Sequence, residues 1–233
     1  MLQNIFQREI YQYGNLETTF AGESNKGFTG YPMFNTPSEL GVALKNMGLD
    51  ILSTANNHSM DRFEKGIIAT LDALDEIGLD HTGTYRSEEE RNTVLVKEVN
   101  GITIPSGKEY LVNLIDEDLM LEQINLAKEQ DVDLICASMH WGAEYAQKQN
   151  KEQERLADFL IKNGVKVIIG NHAHVIEPME MRKVTLEDET VKEGFVVYAL
   201  RKLYFSTNSG TYKRQCYTKH SNNKKWCYRR NIY

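Results

Sequence analysis

Val165-Lys166-Val167-Ile168-Ile169 is an aliphatic run of the length of a buried strand, and it stops at Gly170. Asn171-His172-Ala173-His174 follows at once. Two imidazoles one residue apart, behind a strand and a glycine turn, match a metal-binding loop at the carboxyl edge of a sheet. Alone, the pattern reads better as a solvated loop that happens to hold two histidines. The same order of parts occurs twice more. Asp133-Leu134-Ile135-Cys136-Ala137-Ser138-Met139 runs into His140-Trp141-Gly142, and Leu49-Asp50-Ile51-Leu52-Ser53-Thr54-Ala55 runs into Asn56-Asn57-His58. Ligand sites of open α/β sheets lie outside the carboxyl ends of the strands. Four of the six histidines fall at such ends, which marks a polar site.

Between these runs the spacing is helical. Pro37-Ser38 reads as a helix start with Ser38 as N-cap, followed by Leu40, Ala43, Leu44 and Met47 on one stripe and an end at Gly48. Ile67, Leu71 and Leu74 mark a second helix that stops at Gly78, with a short strand at 79–82 behind it. Asp116 can cap a third helix through Met120, Ile124 and Ala127. A fourth carries Leu156, Phe159 and Leu160, closes at Asn163-Gly164 and feeds the strand at 165–169. Residues 93–99 read as a strand turned by Asn100-Gly101, 102–115 as irregular, and 179–184 with 195–200 as an antiparallel pair. Residues 1–13 show little pattern. The expectation is an α/β fold with a mainly parallel sheet covered on both faces.

The 233 residues suit one large domain with or without an appendage. No stretch approaches the roughly 18–20 apolar residues of a membrane span and no signal segment opens the chain, so it reads as soluble as given. Three cysteines, Cys136, Cys216 and Cys227, form no disulfide framework. Charge divides the chain unevenly. Residues 201–233 hold nine Lys/Arg and no Asp/Glu, which leaves 18 basic against 33 acidic residues in 1–200, a net −15. The expected domains are therefore 1–200 and a basic low-order tail at 201–233, whose abrupt onset fits a shifted reading frame better than an evolved basic arm. The tail lacks a nucleic-acid reading module, so no specific nucleic acid is expected as a partner.

Glu17, Asn57, His58, His140, His172 and His174 are the groups expected around one or two metal ions. Imidazoles, a carboxamide and a carboxylate suit Mn, Fe or Zn better than Ca or Mg, which prefer oxygen alone. Such ions activate water and clamp a phosphoryl or carbonyl group. His58 can instead protonate a leaving oxygen, and Asp61 either orients that imidazole or caps a loop or helix. Trp141 reads as a wall behind its loop, His81 as structural and without a companion, and Cys136 as a small core residue. Glu144 and Glu177 lie near the histidines without reading as ligands. Cys216, His220 and Cys227 lack zinc-finger spacing.

At these residues the chain resembles a known family. Asn15-Leu16-Glu17-Thr18, Ala55-Asn56-Asn57-His58-Ser59-Met60-Asp61, His140-Trp141-Gly142-Ala143-Glu144-Tyr145 and Gly170-Asn171-His172-Ala173-His174-Val175 are similar, in order and spacing, to motifs of the CapA family. These are the poly-γ-glutamate capsule biosynthesis proteins of calcineurin-like metallophosphoesterase fold. The resemblance implies a β-sandwich with flanking helices (four layers, αββα) and a dinuclear phosphoesterase-like centre. In it Glu17, Asn57, His140, His172 and His174 would be ligands and His58 the catalytic acid. It also implies a bacterial role in making or exporting an anionic polymer with a capsule synthase or export complex, at the cell surface or a membrane if an anchor lies upstream.

Three departures stand beside the resemblance. Family members open with a strand ending in Gly-Asp, whose aspartate is a leading ligand; none precedes Asn15, which implies a domain incomplete at its N-terminus. Between Gly101 and Ile102 the family holds a further strand and loop, which implies an internal deletion. After Tyr198-Ala199-Leu200 the family continues Gly-Asn-Phe, where this chain has Arg201-Lys202-Leu203. The function expected is a metal-dependent phosphoester, amide or ester hydrolase. The alternatives are a non-catalytic accessory protein that binds an anionic polymer, or an inactive truncated relative.

Overall fold

A computed structural model describes residues 12–93, 95–99, 102–106, 111–112 and 115–200; at 95–99 and 102–106 it describes the backbone path. The Asn100-Gly101 turn, the segment 107–110 and the tail at 201–233 with Cys216, His220 and Cys227 lie outside the described residues.

The run at 49–55 contributes strand β2 (Ile51–Ser53), flanked in parallel by β1 (Tyr13–Asn15) and β3 (Asp80–Thr82). Strand β1 lies where the sequence shows no pattern. It is only three residues long and half-buried throughout, so no alternation of exposed and covered side chains betrays it. Helix α1 (Glu39–Asn46) and helix α2 (Phe63–Ile77) serve this sheet. Ser38 occupies the N-cap position of α1 but its side chain makes no capping bond, because its own backbone is already helical. The first turn is held instead by Gly41 N–H donating to the Ser38 carbonyl at 2.8 Å. Helix α2 ends where Gly78 turns into the left-handed region at φ 76°. Leu74 of α2, Leu44 of α1 and Leu52 of β2 meet in one core with Leu16, Phe20 and Leu79. Each such leucine stabilises the fold by about 1.5–3 kcal/mol through burial.

After the short helix α3 (Glu88–Arg91), β4 (Leu95–Val99) pairs antiparallel with β5 (Ile102–Ser106). The reading of 102–115 as irregular is therefore corrected over its first five residues. Pro105 lies opposite Val96 in this two-stranded ribbon, and proline is tolerated in strands at a sheet edge.

The second large sheet is built from β6 (Cys136–His140), β7 (Val167–Asn171), β8 (Met179–Thr185) and β9 (Val191–Val197) in the order β6-β7-β9-β8. Strands β6, β7 and β9 run parallel, and β8 is antiparallel to β9. Both β6 and β7 start later than their aliphatic runs. Val165 is buried and bonds back to the Leu160 carbonyl, closing the end of the preceding helix, while the Ile135 carbonyl accepts from Lys166 N–H at 2.9 Å across to the neighbouring run, just ahead of the regular ladder. Helix α4 (Glu117–Glu129) begins where the Asp116 carboxylate accepts the Leu119 N–H at 3.1 Å. Helix α5 (Lys151–Lys162) begins with a reciprocal capping box between Asn150 and Gln153, and packs on β8 and β9. Leu156, Leu160, Ile168 and Val196 are fully buried between helix and sheet.

The architecture is α/β, with flanking helices on mixed sheets. The single mainly parallel sheet expected from the alternation of elements is corrected to two large sheets and a ribbon. Among the described residues no helix is long and apolar enough to cross a membrane.

Candidate functional site

The register of β6 and β7 sets His140 opposite Asn171, so both strands end level. His140 closes β6, and His172 is the first residue after β7. Their rings stand 4.7 Å apart, tilted by 54°. The loop after β2 brings in Asn57, whose carboxamide oxygen lies 3.0 Å from His140 Nε2. On the other side the His174 ring is 6.1 Å from that of His172. His174 Nε2 lies 3.7 Å from Glu17 Oε1 and 3.5 Å from Glu144 Oε1. The structure thus gathers Asn57, His140, His172, His174 and Glu17 through successive pairs of neighbouring side chains.

The backbone of the histidine loop is unusual. His172 has φ 101° and His174 has φ 59°, in the region that L-residues rarely adopt. The loop is held there by Tyr145 N–H donating to the Ala173 carbonyl at 2.7 Å and by Glu177 N–H on the Ala199 carbonyl. Strain of this kind persists where surrounding structure over-determines it, which is common at functional sites.

His58 and Asp61 form a second unit. Asp61 Oδ2 accepts from His58 Nδ1 at 2.9 Å and from the Phe34 N–H at 2.6 Å. The Phe34 ring meets the His58 ring edge-on at 4.5 Å, and both polar side chains are nearly buried. Asn56 fixes the loop from within: its side chain oxygen accepts the His58 N–H at 3.0 Å, and its amide donates to the Leu16 carbonyl at 2.8 Å. With Nδ1 held by a carboxylate, Nε2 is the nitrogen that can exchange a proton.

Other residues fall as follows. Trp141 is buried and donates to the Tyr198 carbonyl at 2.7 Å, a wall as expected. His81 has a companion after all, Asp75 at 3.0 Å, reached because α2 packs back on β3. Burial pushes the Cys136 thiol up to about 11, so it is protonated at neutral pH in the metal-free chain. Glu144 approaches His174 more closely than its sequence context suggested. Glu177 is buried and accepts from Gln153 Nε2 at 2.8 Å. The sequence reading missed Phe34, Gln153 and Tyr13, whose contacts are all tertiary and leave no local signal.

The donor set, three imidazoles with a carboxamide and a carboxylate, fits a late first-row dication. Nδ1 of His172 is buried without a hydrogen-bond partner, a cost that a bound cation would remove. As arranged, the donors approach one another in successive pairs, and among the described residues no three His, Cys, Asp or Glu side chains converge to hold an ion.

Fold and site together define an α/β protein with a histidine-rich polar centre at strand ends. The chain belongs to the bacterial capsule synthesis protein family PGA_cap, whose family model matches residues 1–206. Capsule biosynthesis protein CapA of Bacillus anthracis is 27% identical over 215 residues, covering 84% of this chain and 50% of that protein. PGA biosynthesis protein CapA of Bacillus subtilis (strain 168) is 29% identical over 201 residues, covering 79% and 53%. The chain thus spans about half the length of these curated relatives. A 5'-nucleotidase precursor from Thermus thermophilus superposes with a TM-score of 0.45 at 14% identity, over 70% of this chain and 35% of that one.

Proposed function

We propose that this chain carries a metal-dependent hydrolytic site of phosphoesterase type and serves poly-γ-glutamate capsule synthesis or export at the cell surface. The observation that carries the reading is the series Asn57–His140–His172–His174–Glu17 beside the His58–Asp61 pair. In this reading the five residues hold one or two ions of Mn, Fe or Zn. A bound dication supplies Lewis acidity and a water of lowered pKa. The chain's own groups do the rest. Asp61 accepts the Nδ1 proton of His58 and orients its ring, so Nε2–H is the proton delivered to a leaving oxygen. The Phe34 N–H fixes the carboxylate, and the Phe34 ring shields one edge of the imidazole. The substrate class is an anionic polymer or a phosphoester, within a capsule synthase or export complex.

Elemental analysis of the dialysed chain tests this directly. About one to two equivalents of Mn, Fe or Zn are expected, lost in the His172→Ala/His174→Ala variant, together with phosphodiester or polyglutamate hydrolysis that His58→Ala abolishes. No metal, and no uptake on adding Mn or Zn, would overturn the reading. That no three His, Cys, Asp or Glu side chains converge among the described residues favours a second one, a non-catalytic accessory protein that binds the polymer. That reading requires polymer binding that survives His58→Ala.

A further inference from the structure

The five gathered side chains come from two different sheets. Glu17 and Asn57 follow β1 and β2, whereas His140 ends β6 and His172 and His174 follow β7. The geometry of a shared site depends on how the sheets register against each other. Burial of apolar surface is non-directional and sets that register only coarsely; hydrogen bonds are directional. One side chain joins the sheets by such bonds directly beneath the site. The Tyr13 hydroxyl, from β1, is hydrogen-bonded to Ser138 Oγ of β6 and accepts from Asn171 Nδ2 of β7 at 3.2 Å. Ser138 lies two residues before His140, on the same face of its strand. Asn171 immediately precedes His172, and Tyr13 itself stands four residues before Glu17.

We propose that Tyr13 is a positioning residue, its phenolic oxygen fixing the Glu17–Asn57 half of the site against the histidine half. The inference rests on the metal reading above. The hydroxyl bonds to Ser138 and Asn171, which are not among the five donors, so Tyr13 acts through its neighbours and is not catalytic. A phenol is protonated at neutral pH, and burial raises this one further above its ordinary value, so the hydroxyl is able to donate.

The test titrates the full chain with Co²⁺, following its visible absorption, beside thermal melting of the metal-free protein. Tyr13→Phe keeps the ring and removes only the hydroxyl. It is expected to weaken Co²⁺ binding by about 10–100-fold, as loss of a group supporting a ligand does, and to change the spectrum of the bound ion, with little change in metal-free melting. Ser138→Ala should act in the same direction, and the double variant should be no worse than Tyr13→Phe, which already lacks the bond to Ser138 as well as the one to Asn171. Unchanged affinity and spectrum in Tyr13→Phe, with wild type binding Co²⁺, would overturn the positioning role and leave the metal reading standing. A loss of affinity that merely follows a fall in metal-free melting would also overturn it, as a structural effect. No Co²⁺ uptake by wild type would sink both.

Discussion

At His172 the main chain is held at φ 101°, a conformation costing a non-glycine residue on the order of 1–3 kcal/mol. Alanine retains the Cβ that causes this cost and glycine does not. His172→Gly should therefore unfold at a higher urea concentration than His172→Ala, by about 1 kcal/mol, while both lose the imidazole. Equal midpoints would mean that the loop relaxes once the ring is gone. Glu177 makes a separate prediction. It is 1% exposed, and burial raises its carboxyl above the ordinary range against the opposing pull of the Gln153 amide. A folded value above the unfolded one means that the native state binds the proton more tightly. The favourable contribution is full below the unfolded value of about 4.3 and is lost as pH rises through the folded one. Glu177→Gln keeps an acceptor for Gln153 and carries no charge. It should melt above wild type at neutral pH, with the advantage shrinking as pH falls through the raised folded value and levelling off below the unfolded value of about 4.3. A constant difference across that range would refute the assignment.

Elements were legible where their cause is local. Asp116 at the head of α4 and Gly78 at the foot of α2 cap as expected, because caps involve residues within one turn. The placement of His140 beside His172, and of Glu17 and Asn57 behind neighbouring strands, was legible because parallel strands of one sheet end at the same edge; that the two sheets bring these ends together was not. What the sequence concealed is long-range. Strand β1 is too short for periodicity, β5 holds Pro105 opposite Val96, and Tyr13 meets partners 125 and 158 positions away. Gly170 shows how tightly the elements meet. A Cβ there would lie 1.9 Å from the Tyr198 carbonyl oxygen and 2.5 Å from Trp141 Nε1, while Leu200 N–H already bonds the Gly170 carbonyl at 2.9 Å. The obstacle is backbone and cannot swing aside. Gly170→Ala is expected to cost at least the roughly 3 kcal/mol upper range of ordinary overpacking, and to displace the histidine loop that starts two residues on. Chemical denaturation reads the first effect and loss of metal uptake the second. A stable variant with intact uptake would show that β7 and β9 separate more readily than their register implies.

For the whole molecule, the opposed charges of residues 1–200 and 201–233 decide how it meets a polyanion. The first segment carries −15 and the second nine cationic side chains without an acidic one. An anionic polymer approaching the site between the sheets is repelled by the body around it, and salt screens that repulsion over a Debye length of about 8–10 Å at 0.1–0.15 M. Attraction to the cationic segment is screened by the same ions and has the opposite slope, since it releases counterions. The salt dependence of binding therefore reports which part of the chain holds the polymer. If the histidine centre holds it, affinity for poly-γ-glutamate should rise as ionic strength increases from about 10 to 150 mM, and His172→Ala/His174→Ala should abolish it. Affinity that falls over that range, survives the double substitution and is competed by duplex DNA would locate binding at 201–233 and remove the polymer from the proposed site. Fluorescence anisotropy with labelled polymer, at matched pH and four or so salt concentrations, gives the sign of the slope directly.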